Sequence, residues 1–188
     1  MKNNFLFLSE WLPTLLTASI LSALGSGVIQ MILKFILPDS YRAQCFVEYV
    51  ILTAIICAAL AAVSMRLGSK LNRGSTSLST GVPVFNMLVC GVVYVVLFVV
   101  LKGRALAIIH LFPCEMFLAN GVLGADRAAS ASVVEKAGFC FLQIAIYIAV
   151  SLVFYLVAKK KQEGSEETKS IRGDKKKPNN RFGIDIDI

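Results

Sequence analysis

The chain has 188 residues, 56% of them hydrophobic, and a mean hydropathy of +0.71. That is too apolar for a water-soluble domain of this size, in which about half the residues, glycine included, are apolar. The net charge of +7 does not indicate a nucleic-acid partner, because the basic residues sit in loops and after Lys159 instead of on one folded face, and anionic lipid headgroups match them better.

Five cysteines, an odd number, cannot all pair within one chain. Cys57 and Cys90 fall in the middle of apolar runs, where a thiol behaves as a small apolar side chain, so no disulfide framework is expected.

Residues 1–10 make a poor secretory signal, since the apolar stretch they open runs on to Leu37 instead of stopping after about 7 to 15 residues. Trp11 reads as an interfacial anchor and Pro13 as a first-turn position of span one, residues 13–37. Ala18, Ser22 and Ser26 recur every fourth residue and strip one face of bulk, so another helix can approach closely there. Pro38, Asp39 and Ser40 form a turn signal. Span two follows at residues 43–65, with its own small-residue series Ala54, Ala58 and Ala62. Spans one and two therefore form a tight antiparallel hairpin. Folding it about residues 39–41 brings Lys34 and Glu48 to nearly the same depth, where they can pair as a structural ion pair near the span ends.

Residues 66–81 are polar and contain Arg66, Lys70 and Arg73 with no acid. They form a cytoplasmic loop by the positive-inside rule. A phosphate-binding reading fails because the Walker spacing of glycines before Lys-Ser is absent and no strand precedes it. Ser79 or Thr80 can cap span three, residues 82–101.

Span three carries Asn86, Cys90 and Tyr94 at four-residue spacing. Span four, residues 137–158, carries Gln143, Tyr147, Ser151 and Tyr155 in the same way. Aligned antiparallel by their cytoplasmic ends, Asn86 comes level with Tyr155, Cys90 with Ser151 and Tyr94 with Tyr147. Polar side chains in lipid seek partners inside a bundle, so the two stripes are expected to face each other as helix glue.

Between Lys102 and Lys136 three structures compete: an interfacial or re-entrant helical hairpin, a fifth span, or a partly folded exterior loop. Pro113, Glu115 and His110 crowd the centre of the candidate span, which favours four spans plus a membrane-associated loop. Asp126 then caps a helix beginning at Arg127 and running into span four. His110, Cys114 and Glu115 form the one cluster resembling a chemical site, as a base and nucleophile or as metal ligands. The spacing is generic and a catalytic zinc needs a third ligand, so no metal and no cofactor are expected.

Span four has no charged residue and is closed by Lys159, Lys160 and Lys161, which anchor its end at cytoplasmic headgroups. Residues 159–188 read as a disordered basic cytoplasmic tail. The four-span outline is similar in shape to tetraspanins, but Cys-Cys-Gly is missing from the last exterior loop. The claudin outline fails because its long first exterior loop is here a few residues.

The expectation is an all-α polytopic protein of the plasma membrane, with four transmembrane helices in two antiparallel hairpins and both termini cytoplasmic. The leading functional reading is a non-enzymatic subunit of a larger transport, export or envelope assembly, with a membrane-protein partner or further copies of itself. An oligomeric small-molecule or ion transporter or channel is the alternative, and an intramembrane enzyme using His110 and Cys114 a remote one.

Overall fold

A computed structural model of the protein describes residues 2–71, 81–101 and 113–174, and within these every regular element is a helix. In chain order they are α1 (Lys2–Ile36), α2 (Tyr41–Leu71), α3 (Gly81–Leu101), α4 (Pro113–Leu123), α5 (Ala125–Ser130) and α6 (Val133–Asp174). Three stretches are long and apolar enough to cross a membrane: Phe7–Ile36, Tyr41–Leu71 and Val134–Ser165. The remaining apolar helices are shorter, Gly81–Leu97 within α3 and Cys114–Leu123 within α4.

The outer surface is the apolar one. Leu24, Met31 and Phe35 on α1, Phe85 and Val100 on α3, and Phe141 and Val157 on α6 are all exposed. Water would expel such a surface and hydrocarbon accepts it. Inside the bundle large side chains from α1, α2, α3 and α6 pack with hydroxyls and carboxyls among them, including Trp11, Leu52, Ile56, Met87, Tyr94, Tyr147 and Tyr155.

α1 begins at Lys2, not at Pro13. Pro13 lies inside the helix, and the Thr14 hydroxyl adds a 2.6 Å bond to the Glu10 carbonyl in the same turn. Trp11 is correspondingly not an interfacial anchor: it is fully buried. The turn to α2 is short because Ser40 caps it, accepting from the Ala43 N–H at 3.3 Å. Gln44 then reaches back to donate to the Leu37 carbonyl at 2.6 Å, satisfying an orphan acceptor at the end of α1.

α2 is longer than its expected span at both ends. Near its end a Cβ at Gly68 would lie 2.8 Å from the Tyr155 carbonyl oxygen and 2.9 Å from the Ala158 Cβ. This glycine sets how closely α2 and α6 approach at the Leu71 end of the bundle. Lys70 and Glu10 form a 3.1 Å ion pair at the same end, joining α2 to the start of α1.

Within the stretch expected to form a membrane-associated loop, residues 113–130 form the two helices α4 and α5, and residues 102–112 lie outside the described residues. α4 packs against the first half of α2: a Cβ at Gly121 would meet the Phe46 backbone at 3.4 to 3.5 Å. The Arg42 guanidinium donates to the Leu123 carbonyl at 3.0 Å, a cation placed on the C-terminal carbonyls of α4. Gly124 then turns the chain with φ +85°, a conformation glycine adopts at little cost, and any side chain there would also strike Arg42. From this anchored end α4 runs back about 15 Å along α2, so its first residues lie near the middle height of the bundle.

Asp126 does not begin the final helix. α5 ends at Ser130, and α6 starts anew after Ser132, which forms a reciprocal cap with Glu135. The Ser132 N–H donates to Glu135 Oε2 at 2.8 Å and the Glu135 N–H donates to Ser132 Oγ at 3.2 Å. This is the capping box written as Ser-x-x-Glu before an apolar run. At its far end α6 runs through Lys159, Lys160 and Lys161 to Asp174, so residues 159–174 extend the helix where a disordered tail is expected. Extending a formed helix needs no new nucleus, and Gln162, Glu163, Glu166 and Glu167 are good helix formers. Residues 175–188 lie outside the described residues.

Gly68→Ala should lower thermal stability in detergent by about 1 to 3 kcal/mol, because a backbone carbonyl stands where the methyl must go. Gly27→Ala, with nothing within 4 Å of the added Cβ, should change it by less than about 0.5 kcal/mol. Thermal unfolding of the two purified variants side by side checks this, and equal losses would mean that α2 and α6 do not meet through Gly68.

Candidate functional site

The candidate site is a column of polar side chains in the interior of the bundle, with Glu115 at its centre. Pro113 and Glu115 fall in the first turn of α4, where proline needs no amide partner and a carboxylate is favoured by the helix dipole. Because α4 starts at mid-height, this acidic first turn points into the bundle. Cys114 and Glu115 are both buried, with Glu115 only 3% exposed. The Tyr94 hydroxyl of α3 donates to Glu115 Oε1 at 3.1 Å.

Around this pair stand Tyr49 of α2 and Cys140 and Tyr147 of α6, each close enough to interact electrostatically with the carboxyl group. At the same level Gln143 of α6 donates to Thr53 Oγ1 of α2 at 3.1 Å. Tyr147 Oη has the Cys114 thiol beside it and Ser19 Oγ the Tyr94 hydroxyl, while two polar atoms here, Glu115 Oε2 and Gln143 Oε1, are buried without a hydrogen-bond partner among the described residues. Such groups are rare in a folded interior, because each forfeits its hydration with nothing in exchange. Polar groups gathered in this way at one level of a bundle have the chemistry to hold a proton or a polar ligand.

A second polar contact lies toward the Leu71 end. Trp11 Nε1 donates to Ser151 Oγ at 2.9 Å across α1 and α6, both groups buried, and Phe7 meets Tyr155 edge to face with ring centroids 6.0 Å apart.

The structure brings together part of what the sequence suggests. Cys90, Tyr94, Gln143, Tyr147, Ser151 and Tyr155 all face inward. They do not form one ladder between α3 and α6. A Cβ at Gly91 would meet Ile144 and Ile148, whereas aligned helix ends set Gly91 opposite Val150. Tyr94 instead bonds α4, Ser151 bonds α1, and the amide of Asn86 donates to the Val82 carbonyl of its own helix at 3.0 Å.

Lys34 and Glu48 are not partners. Glu48 is buried, Lys34 is exposed, and no ion pair joins them. The polar neighbour of Glu48 is Gln30 of α1, because the hairpin turns the two charged side chains to different faces. Ala18 and Ser22 face inward, and Ser26 is half-buried with its hydroxyl on the Ala23 carbonyl. Ala54, Ala58 and Ala62 are exposed, since the inward face of α2 is taken by Leu52, Ile56 and Leu60. Lys159 is half-buried and 4.0 Å from Glu163, while Lys160 and Lys161 are exposed.

His110 lies outside the described residues, and so does its expected pairing with Cys114. Among the described residues no group of three or more His, Cys, Asp or Glu is placed to hold a metal ion. All five cysteines are free thiols.

Sequence reasoning misses the partnerships of Trp11 and Arg42. Nothing local announces that the Trp11 indole will reach 140 residues along the chain. The Ser132–Glu135 cap, by contrast, is written in the sequence. Comparison with protein-family models, with curated proteins and with solved structures finds no match to this chain, so function is argued from geometry alone.

Trp11→Phe and Ser151→Ala should be non-additive. Interhelical hydrogen bonds in bundles of this kind carry about 0.6 kcal/mol and at most about 1.7. A double-mutant cycle on unfolding in detergent should return a coupling in that range, and zero coupling would mean the bond does not form.

Proposed function

We propose that the protein is a multi-pass component of the cell membrane whose α1, α2, α3 and α6 all cross the bilayer, with both termini cytoplasmic. What supports this is the apolar outer surface together with the placement of the basic residues. Lys159, Lys160 and Lys161 follow the last apolar turn of α6, Arg66 and Lys70 lie in the last turns of α2, and Arg73 follows them in the sequence. In that arrangement α4 is a re-entrant helix entering from the outer side and buried against α2, which is how non-spanning backbone is tolerated at membrane depth.

Within this frame we read the chain as a non-enzymatic subunit that packs against a larger membrane partner. The observation that carries the reading is the outward face of α2, where Ala54, Ala58 and Ala62 are exposed at four-residue spacing. Small residues on a membrane helix let another backbone come close, and this series has no partner helix within the described chain. Lipid alone gives no reason to strip a helix face of bulk.

The second reading, transport of an ion or small polar solute, is favoured by the buried column of Tyr94, Glu115, Gln143 and Tyr147. Intramembrane carboxyls are costly and line pathways or relays.

Two experiments test these readings. With native cysteines replaced, single cysteines at Ser40 and Ser130 should react with an impermeant maleimide applied to intact cells, and one at Ser75 should not. External labelling at Ser75 would overturn the orientation. A photo-crosslinking residue at Ala58 should give a discrete protein adduct in cells. The same group at Val92, exposed on α3, should give chiefly lipid products. Ala58→Trp should abolish co-purification of that adduct partner while leaving thermal stability unchanged. Lipid products alone from both positions would overturn the assembly reading.

A further inference from the structure

Glu115 is a carboxyl group inside an apolar bundle with no counter-charge among the described residues. The ion pairs found there, Lys70 with Glu10 and Lys159 with Glu163, lie far along the chain from it and do not involve it. The titratable groups that face its surroundings are Tyr49 and Cys57 from α2, Tyr94 from α3, Cys114 from its own helix, and Cys140 and Tyr147 from α6. At neutral pH each of these is an uncharged thiol or phenol, so none can neutralise a carboxylate. A lone hydrogen bond from Tyr94 and the first turn of α4 return only part of what hydration gave an ionised carboxylate.

Neutralisation by a proton meets the remaining demand, and the geometry provides for it. Oε1 is occupied by the Tyr94 hydroxyl, whereas Oε2 is buried with no partner among the described residues. In the same region Gln143 Oε1 is buried without a partner among the described residues, and Tyr147 Oη has the Cys114 thiol beside it. A proton on Oε2 would turn this orphaned acceptor into a donor and remove the buried negative charge.

We propose that Glu115 is a membrane-embedded proton-binding site, taking up one proton from water at Oε2 and releasing it again, with Tyr94 holding the other oxygen. Uptake changes the charge at Glu115 from minus one to zero and leaves every other group as it was. The ligand is the proton itself, and the site stands whether the chain acts alone or within an assembly. It supplies the transport reading with a named group, without depending on it.

The test uses the full-length protein reconstituted in liposomes. Between about pH 5 and 9, the infrared carbonyl band of a protonated carboxylic acid should be present at the acid end and decline toward the alkaline end. Glu115→Gln should remove one component of that band, whereas Glu48→Gln, at the other buried carboxyl, whose Oε1 is likewise without a partner among the described residues, should leave the Glu115 component in place. Dicyclohexylcarbodiimide should form a stable N-acylurea on Glu115, located by peptide mass spectrometry, with a yield that follows the same pH course.

Tyr94→Phe retains the carboxyl and removes a donor that favours its ionised form, so it should hold the proton roughly tenfold more tightly and move both readouts to higher pH. This variant decides the matter if Glu115→Gln does not fold. A band absent from wild type at every pH would mean that the carboxylate stays ionised, as a cationic partner such as His110 would cause. A band present and constant at every pH would mean that its proton does not exchange. Either result overturns the proposal, as does a Tyr94→Phe profile that coincides with wild type.

Discussion

Everything about this bundle depends on where its polar groups can go once its surface is given over to hydrocarbon. The outer faces of α1, α2, α3 and α6 carry Leu, Val, Ile and Phe, so hydroxyls, amides and carboxyls have to be turned toward one another. The bond from Tyr94 to Glu115 is the tightest expression of that constraint. It joins α3 to α4 at mid-height, and it requires α4 to stand inside the bundle with its first turn inward. Arg42 on the Leu123 carbonyl holds the other end. Between those two contacts an eleven-residue helix, too short to cross a bilayer, acquires a fixed position.

Close approach of the helices is set by glycine and alanine. Gly68 brings α2 against the backbone of α6, Gly91 receives Ile144 and Ile148, and Gly121 lies on the backbone at Phe46. Gly68 and Gly91 both face α6 and Gly121 faces α2, so the bundle is wedged together at three places. The polar contacts fall between them: Trp11 to Ser151 toward one end, Gln143 to Thr53 and Tyr94 to Glu115 nearer the middle. Packing of small residues supplies the proximity that these bonds need.

Local signals in the sequence are legible where the physics is local. The turn at residues 37–40, the apolar bodies of the helices and the inward faces of Tyr147 and Ser151 follow from hydropathy and four-residue spacing. The Ser132–Glu135 cap was readable too, but Asp126 competes for the same role seven residues before Val133. What could not be read is long-range. Register between α3 and α6 depends on Gly91 accepting Ile144, which slides the helices away from simple end-to-end alignment. The pairing of Lys34 with Glu48 was inferred from depth alone, and depth does not fix the azimuth of a side chain around its helix. The partner of Tyr94 was hidden for the same reason, since nothing in residues 102–136 declares that Pro113 opens a helix pointing inward.

The two small-residue series differ in a way that bears on function. Ala18 and Ser22 face inward and are consumed by the packing of α1 within the chain, whereas Ala54, Ala58 and Ala62 remain on the surface. A series used internally explains itself. One left outside adds no contact in the isolated bundle, where Leu would cover more of the helix at little cost in propensity. The polar column faces the opposite way, into the core, and shares no residue with that outer face. The outer face proposed to meet a neighbouring helix and the inner carboxyl, without a counter-charge among the described residues, are therefore separate features. Replacing Ala58 leaves the surroundings of Glu115 intact, and replacing Glu115 leaves the α2 surface intact. Assembly and proton binding can thus be lost independently.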